Sequence, residues 1–497
     1  MAALSLATDL GMGQPLEQAL RTCLISMALG DRLGLKPDEL SDVYYVALLR
    51  FLGCSADAYE FAAMVGGDDI GIRAAIAPIL GGSSGDFAAT VFPRIGQGQS
   101  PLRRARLIGR MMAGGTAAGR EGVRAGCEMA EHLAARIGLP DGVRRGLATA
   151  FETWAGTGFP NGLRGEDIAL SSRIVFVARD AEVLQRIGGR EHVRSALKSR
   201  GGRAYDPNIA QVFAKHLDEL LGAADRASPW HEVIENEPEP HPWVPESRLQ
   251  ATLEAFADFV DLKSPFTAGH SRGVALLASA HGNNREMRWA GLVHDVGRMS
   301  VANGIWDRPG SLTSGEWERV RLHPYYSERI LDRVSRLHPI ARLVGMHHER
   351  LDGTGYYRGS KRAELPREAR ILAAADSYQA MTQPRPHRPA HPPKQAAELL
   401  EAEARGGRLD AEAAHFVLEA AGHAPHHLRR SLPADLSERE VEVLRLICRG
   451  GTKKAVAQLL HISPSTVDHH VRHIYDKAGV ASRAGATLFA VEHDLLK

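Results

Sequence analysis

The feature that most constrains this chain is an ordered series of histidines and carboxylates between residues 270 and 376. At its centre lies the pair His294-Asp295, in the stretch AGLVHDVGRMSV. The other members of the series are His270, His323, the pair His347-His348, and Asp376. A lone histidine on an apolar helix is more often a core residue, but an ordered series predicts convergence on two divalent metals bridged by one carboxylate. Such a metal pair activates a water and stabilises both oxygens of a phosphoryl displacement.

The spacing of apolar residues predicts that the whole chain is all-α. Apolar residues recur every three or four positions in segments such as 16–34, 124–137 and 327–345, and alternating strand-like runs are scarce. A length of 497 residues favours about three domains. Two stretches read as linkers, the Pro- and Glu-rich residues 226–247 and the basic residues 423–435. The predicted domains are therefore residues 1–225, 248–422 and 436–497.

The middle domain resembles the HD-GYP domains, which belong to the HD superfamily of phosphohydrolases and open cyclic dinucleotides. The family has an ordered set of motifs: His, His-Asp-x-Gly-Lys, His, His-His-Glu, Asp-Gly-x-Gly-Tyr-Pro and Asp. In this chain the corresponding residues are His270, His294-Asp295-Val296-Gly297-Arg298, His323, His347-His348-Glu349, Asp352-Gly353-Thr354-Gly355-Tyr356-Tyr357 and Asp376. The resemblance implies that His270, His294, Asp295, His323, His347, His348 and Asp376 bind two divalent metals. Iron or manganese is expected, because the ligands lack thiolate.

This segment departs from the family pattern at two positions. Arg298 stands where the family has a phosphate-contacting lysine, and it is expected, with Asp295, to carry the catalytic contacts to phosphate. Arginine grips phosphate bidentately, whereas lysine acts as a point charge. Tyr357 replaces the proline of the Gly-Tyr-Pro triplet, which frees φ in the substrate loop. A further Pro- and His-rich stretch, residues 383–394, is interpreted as a solvated turn.

An internal repeat places a second, degenerate copy of this domain at residues 1–225. The stretch AGTGFPNG at 155–162 echoes DGTGYYRG at 352–359, and the register of both copies holds over long spans. The metal-ligand positions of the first copy are then occupied by Gln18, Arg50, Phe51, Gly126, Ala150, Phe151 and Arg179. Two arginines would repel a pair of dications at close range. We expect the first copy to keep the scaffold without the metals, serving in packing, dimerisation or ligand sensing.

The last sixty residues predict a four-helix domain containing a helix-turn-helix. Ser437 and Glu440 form a capping box sequence, and Ser463-Pro464 opens a later helix with a polar outer face. The stretches LSEREVEVL, GTKKAVAQLL and SPSTVDHHVRHIYDKAGV resemble the LuxR-type DNA-binding domain over its whole length. The resemblance implies a recognition helix, and the expected DNA-binding residues are Lys453, Lys454, Ser465, Thr466, Asp468, His469, Arg472 and Lys477.

Composition favours a cytoplasmic protein. The charge is nearly balanced, with 61 basic and 59 acidic residues, and no polybasic tail is present. The four cysteines form no CxxC pair, which is typical of a reducing compartment. The first residues lack the basic start of a secretory signal. No apolar run approaches the roughly 18–20 residues of a membrane helix, so no membrane partner is expected.

Two functional hypotheses follow for this chain, which is interpreted as a bacterial transcription regulator. In the first, the middle domain is a working metal-dependent phosphodiesterase acting on a cyclic dinucleotide or another phosphoester. In the second, it binds metal and nucleotide but turns over slowly, so that occupancy controls DNA binding. Double-stranded DNA is the expected partner under both hypotheses. A homodimer is expected as well, because the C-terminal segment is only mildly basic and a second half-site would add affinity.

Overall fold

The computed structural model describes residues 1–225, 228–239, 241, 245–280, 284–422, 433–493 and 495–496. This described part of the chain consists of helices and their connections, with three isolated β-bridges and no strand. The predicted all-α class is therefore confirmed. Across the same residues, no helix combines the length and the apolar character needed to cross a membrane. Contacts between residues divide the chain into two compact units, Met1–Arg248 and Leu249–Lys497.

The helices of the first unit begin and end as follows: α1 Ala2–Gly11, α2 Gln18–Leu33, α3 Pro37–Leu49, α4 Ala58–Val65, α5 Asp69–Ile76, α6 Ser84–Val91, α7 Pro101–Ile137, α8 Asp141–Ala148, α9 Leu170–Arg200, α10 Pro207–Lys215, α11 Leu217–Gly222 and α12 Pro229–Glu235. Helix α9 is kinked at Gly189, where φ is 70°. The core of this unit is formed by α2, α3 and α9, which pack against one another.

The helices that follow are α13 Glu246–Asp261, α14 His270–Ala278, α15 Arg285–Val293, α16 Asn303–Trp306, α17 Ser314–Arg321, α18 His323–Leu331, α19 His338–Val344, α20 Arg367–Thr382, α21 Pro393–Arg405 and α22 Ala411–Ala420. Short 3₁₀ turns lie at Ala77–Ile79, Gly165–Asp167, Val296–Ser300, Arg362–Glu364 and Pro433–Asp435. Helix α20 packs against α14, α15, α19, α21 and α22, so it is the central helix of this region.

The segment predicted as the first linker contains helix α12, which packs against α2. Val233 of α12 is fully buried, and its carbonyl accepts a 2.8 Å hydrogen bond from the Tyr44 hydroxyl. Burial of this apolar side chain explains why a Pro- and Glu-rich stretch is ordered here. Residues 226, 227, 240 and 242–244 of this linker lie outside the described part. Residues 423–432 of the second predicted linker lie outside it as well.

Close backbone contacts recur at matching positions in the two units. A Cβ on Gly53 would lie 1.8 Å from the Gly126 carbonyl oxygen, and a Cβ on Gly297 would lie 2.1 Å from that of His323. Only glycine permits either approach. The residue before α2, Glu17, has φ 73°, as does Gly269 before α14. These matches pair Gly126 with His323 and Gln18 with His270, as the repeat predicts.

An ion pair is repeated in the same way. Arg173 near the start of α9 bonds Asp206, the N-cap of α10, at 2.8 Å. Arg370 near the start of α20 bonds Asp410, the N-cap of α22, at 3.1 Å. In each unit the residue six positions after the arginine is the one aligned at the last metal ligand. The pairing of Arg179 with Asp376 thus rests on a shared tertiary contact and a constant spacing.

The C-terminal helices are α23 Glu438–Cys448, α24 Lys453–Leu460, α25 Pro464–Ala478 and α26 Arg483–Glu492. The predicted capping box is present, because Ser437 Oγ accepts from the Glu440 amide and the Glu440 carboxylate accepts from the Ser437 amide. Apolar residues of these helices form one buried cluster, which includes Val467 and Ile474 of α25. That cluster leaves the opposite face of α25 polar and exposed.

Candidate metal centre and nucleic-acid interface

Seven predicted ligands converge in the second unit, most of them from helix ends and Asp376 from within α20. His270 is the first residue of α14, His294 follows the last residue of α15, and His323 is the first residue of α18. Possible metal-binding groups there, each with ligand atoms within 4.8 Å of one another, are His323-His347-His348, His270-His294-Asp376 and His294-Asp295-His347. The structure therefore brings together every ligand that the sequence predicted.

Three of these imidazoles are held by the same kind of hydrogen bond, from Nδ1 to a backbone carbonyl three residues upstream. Nδ1 of His294 lies 2.8 Å from the carbonyl oxygen of Gly291. Nδ1 of His323 and of His347 lie 2.6 Å from the carbonyls of the residues three positions upstream. A carbonyl oxygen only accepts, so each Nδ1 carries the proton and each Nε2 presents a lone pair. Such a backbone contact is typical of metal-binding histidines, because it fixes both tautomer and ring orientation.

The lone pairs face one another across the site. His323 Nε2 lies 3.1 Å from His347 Nε2 and 3.2 Å from Asp295 Oδ1. His270 repeats the pattern, since its Nδ1 lies 2.9 Å from Gln383 Oε1 and its Nε2 3.1 Å from Asp376 Oδ1. Acceptors at these distances repel unless a cation lies among them. The arrangement therefore requires a proton or a metal ion at its centre.

Asp295 stands between the two histidine groups. Its Oδ1 faces His323 and His347 at 3.2 and 3.5 Å, and its Oδ2 faces His294 at 3.5 Å. Oδ1 of Asp295 and Nε2 of His294 are buried and have no hydrogen-bond partner in the described part of the chain. Orphaned buried acceptors are costly. Their placement fits a carboxylate that bridges two cations, one oxygen toward each group.

The protonation states suit metal binding. Burial, opposed by Asp295, lowers the pKa of His294 to about 4. Burial works to raise the pKa of Asp295, but His294 and Arg298 outweigh it and hold that pKa well below its usual range. Burial works to lower the pKa of His347, but the contact with Asp295 outweighs burial, so this pKa is raised. Metals bind neutral imidazole and ionised carboxylate, so a metal competes with one proton at His347.

Arg298 is buried beside this centre. Its Nη1 donates a 3.0 Å hydrogen bond to Asp295 Oδ2, and its guanidinium carbon lies 3.9 Å from the centroid of the Trp306 ring. Arg298 is therefore fixed at the edge of the site by a carboxylate on one side and an indole on the other. The predicted contact between Arg298 and phosphate stays a prediction.

The turn after α20 was interpreted from sequence as solvated, and the structure agrees only in part: His387, Pro389, Ala390 and residues 392–394 are exposed, whereas the first residues of the turn contact the metal centre. Gln383 accepts from His270, and the partly buried Arg385 donates from Nη1 to the Phe266 carbonyl at 3.3 Å. Burial and then Arg298 lower the pKa of Arg385 to about 10. The turn packs onto the metal centre because these polar side chains find partners there. An arginine at a matching place in the related family was the available sequence signal.

The loop after His347-His348 is anchored by side chains. The Glu349 carboxylate accepts the amides of Arg358 at 3.2 Å and Ser360 at 2.9 Å. Tyr357, which replaces the expected proline, donates its hydroxyl to Glu328 at 2.9 Å. Glu328 also pairs with Arg358. The freedom gained by losing the proline is thus offset by a side-chain anchor on α18.

Two aromatic rings lead outward from the histidines. Tyr356 stacks on His348 with ring centroids 4.3 Å apart and an interplanar angle of 28°. Trp317 of α17 meets Tyr356 edge-on at 6.3 Å, and 42% of Trp317 is exposed. An exposed indole within two rings of the metal ligands offers a stacking face for an aromatic group of a substrate.

The C-terminal domain exposes most of the predicted DNA-binding side chains. Exposed residues among them are Lys453, Lys454, Ser465, Thr466, His469, Arg472 and Lys477. Asp468 is half-buried and pairs with Lys453 and, at 3.1 Å, with Arg472. Lys453 of α24 and Arg472 of α25 are thereby held on one face around a single carboxylate.

Lys477 is exposed, but its ammonium is already bonded within the C-terminal domain. Its ammonium donates to Glu440 Oε2 at 2.8 Å and to the Asp435 carbonyl at 3.1 Å. Burial of Glu440 works to raise its pKa, but Lys477 and Ser437 outweigh it and lower the pKa to about 2. A contact between Lys477 and DNA would compete with this ion pair, so Lys477 is a weaker candidate than Lys454 or Arg472.

Comparisons with known proteins identify both folded regions. A family model described as "HD domain" matches residues 117–209 and 254–413. A second model, described as "Bacterial regulatory proteins, luxR family", matches residues 434–490. These matches confirm the two resemblances drawn from the sequence motifs. The HD model also matches in the first unit, where the metal ligands are replaced.

Several relatives are phosphodiesterases. The "3'3'-cGAMP-specific phosphodiesterase 3" of Vibrio cholerae is 32% identical over 414 residues, which is 81% of this chain and 89% of that protein. A "Cyclic di-GMP phosphodiesterase" of Thermotoga maritima is 38% identical over 128 residues, 25% of this chain and 34% of that protein. A crystal structure of a cyclic GMP-AMP specific phosphodiesterase of V. cholerae superimposes with a TM-score of 0.58 at 27% identity, covering 86% of this chain and 97% of that one.

Proposed function

Because this chain belongs to the HD-domain family of metal-dependent phosphohydrolases and ends in a LuxR-type domain, we propose that it hydrolyses a cyclic dinucleotide and regulates transcription. The relative that covers most of the chain is named for 3'3'-cGAMP. That compound is therefore the first substrate to test, ahead of cyclic di-GMP.

The observation that carries the proposal is Asp295, whose two oxygens face separate histidine groups. Two divalent metals, expected to be iron or manganese, would be held by His270, His294, Asp295, His323, His347, His348 and Asp376. Bound there, they would supply a nucleophile at neutral pH and would neutralise the charge that develops on the phosphoryl group. The chain's own contribution is to fix these ligands, to hold Arg298 beside the phosphate, and to offer aromatic faces to the bases.

The direct test is a turnover assay on a panel of 3'3'-cGAMP, cyclic di-GMP and cyclic di-AMP, with protein loaded with Mn²⁺ or Fe²⁺. We expect linear products, with 3'3'-cGAMP giving the highest kcat/KM. If the metal-loaded protein opens none of them, the phosphodiesterase proposal is wrong.

The second hypothesis, a sensor of low turnover, is favoured by the fused DNA-binding domain. In that case a cyclic dinucleotide would change DNA affinity without being consumed. A binding titration of labelled DNA, with and without 3'3'-cGAMP and with its recovery measured afterwards, separates the two functions. Recovery of intact dinucleotide together with altered DNA affinity would favour the sensor.

Replacing Trp317 by Ala should raise KM for a cyclic dinucleotide by roughly ten-fold, since stacking one base on an aromatic ring is worth about 1–3 kcal/mol. The change in kcat should be smaller, because Trp317 does not contact the ligands. Leu399→Ala, which removes another exposed apolar side chain of the second unit, is the matched control. An unchanged KM in Trp317→Ala would exclude this ring from the substrate site.

For the DNA-binding domain, we expect a dimer that binds two half-sites about one helical turn apart. Arg472→Ala should relax specificity at particular base pairs, at a cost of about 1–3 kcal/mol. Lys454→Ala should weaken binding to all sequences alike and flatten the salt dependence. Fluorescence titration against selected and random DNA at several salt concentrations tests both. Failure of the full chain to select any sequence would contradict the regulator function.

A further inference from the structure

The first unit buries a charged group where the second unit holds its ligands. Arg50 aligns with His294, is 3% exposed, and has its guanidinium carbon 4.8 Å from the Phe176 ring centroid. The corresponding distances to the Phe151 and Phe51 rings are 4.9 and 5.8 Å. All three guanidinium nitrogens of Arg50 are buried and have no hydrogen-bond partner among the described residues.

A buried guanidinium without hydrogen-bond partners is costly, because it has lost its hydration without gaining bonds in return. Stacking on phenylalanine offsets only part of that cost. Burial and the neighbouring Arg179 lower the pKa of Arg50 to about 9, so it keeps its charge at neutral pH. The carboxylate that acts on Arg50 is Asp180, which is already bonded to Arg179 and Arg200.

Arg179 adds a second cation, and the carboxylate beside it is already used. Arg179 Nη1 donates to the Ala77 carbonyl at 2.6 Å and to Asp180 Oδ1 at 2.8 Å. Asp180 Oδ2 accepts from Arg200 at 2.7 Å and from Tyr205 at 2.8 Å. Within the residues that the structure describes, Arg179 Nε, like the nitrogens of Arg50, is buried without a hydrogen-bond partner.

We propose that the first unit binds a phosphoryl oxyanion through Arg50 and Arg179. Four partnerless N–H nitrogens on two guanidiniums suit the several oxygens of a phosphate, which arginine grips bidentately. Gly126 and Ala150, at the positions of His323 and His347, remove two imidazoles from this place in the fold. The first unit has thus exchanged a cation site for an anion site. This inference does not depend on hydrolysis in the second unit.

The test uses the full chain carrying Asp295→Asn, so that metals in the second unit do not compete for the anion. Calorimetric titration with inorganic phosphate, and separately with GMP, is done at constant ionic strength. We expect one equivalent bound per chain, and at least ten-fold weaker binding when Arg50→Met is added. Tighter binding of GMP than of phosphate would identify a nucleotide as the source of the phosphoryl group, and equal binding would identify free phosphate.

Thermal unfolding separates a ligand-binding role from a packing role. Methionine fills similar space among the phenylalanines without a charge, so Arg50→Met should melt at the same or a higher temperature in phosphate-free buffer. It should also lose the rise in melting temperature that phosphate gives the parent chain. Arg50→Lys keeps the charge but loses the bidentate guanidinium, so it should bind phosphate more weakly than the parent. It serves as the test variant if Arg50→Met fails to fold.

Arg103→Met, which changes an exposed arginine near the start of α7, is the control and should bind like the parent. The proposal is overturned if the parent chain binds neither phosphate nor GMP at millimolar concentration. It is also overturned if Arg50→Met or, where that variant does not fold, Arg50→Lys binds them as well as the parent.

Discussion

Replacing Asp295 by Asn is expected to lower hydrolysis of a cyclic dinucleotide by about a thousand-fold or more, at or beyond the upper end for losing one electrostatic stabiliser. The amide keeps the shape of the side chain but removes the charge shared by the two histidine groups. Without it, the imidazoles of His323 and His347, whose Nε2 atoms are 3.1 Å apart, lose the carboxylate oxygen that faces them at 3.2 and 3.5 Å. Metal content should fall together with kcat.

The measurement is kcat/KM with metal analysis of the same preparation. Asp332→Asn removes a carboxylate that is more than half exposed on the same unit, where it pairs with His338. It is the matched control and should keep both activity and metal. Two metals retained by Asp295→Asn would show that Asp295 does not bridge them.

Most ligands of the metal centre could be predicted from sequence because they lie at or beside a helix end, whereas Asp376 lies within α20. His270 and His323 begin helices, and His294 follows one. The local pattern of apolar residues predicts where helices begin and end. The order of the motifs, through the family resemblance, predicts which of these ends lie close together. The all-α fold follows from the same periodicity.

Contacts between distant segments could not be predicted. Gln383 meets His270 across 113 positions, and Tyr357 meets Glu328 across 29. A Pro- and His-rich turn has the composition of a solvated loop, and only the tertiary fold supplies the partners that bury it. The pairing of Lys477 with Glu440 could not be predicted for the same reason. A basic residue on a recognition helix is expected to contact DNA, and the sequence does not show that the first turn of α23 lies close to it.

The repeat shows how far sequence reasoning reaches at a degenerate site. Alignment placed Arg50 at the position of His294 and so excluded a metal. It could not state whether the guanidinium turns toward solvent or into the core. The structure buries it among three phenylalanine rings, and this burial is what makes an anion the expected ligand.

Arg298→Ala is expected to lower kcat by roughly ten- to a thousand-fold, the range for losing one group that stabilises developing charge. Arg298 Nη1 is directed at Asp295 Oδ2, which faces His294, so its cation lies beside the predicted position of the phosphate. Metal content should be kept, because Arg298 is not a ligand. Arg298→Lys should recover much of the activity, since a lysine stands there in the related family.

A role confined to packing would give a different result. The Arg298 guanidinium also lies on the Trp306 ring, so loss of this stacking alone should lower stability and leave kcat unchanged. Trp306→Phe keeps an aromatic face and serves as the control for stacking. Single-turnover rates, metal content and thermal unfolding of the three variants separate these effects. If Arg298→Ala keeps wild-type kcat with its metals bound, Arg298 does not contact the reacting phosphate.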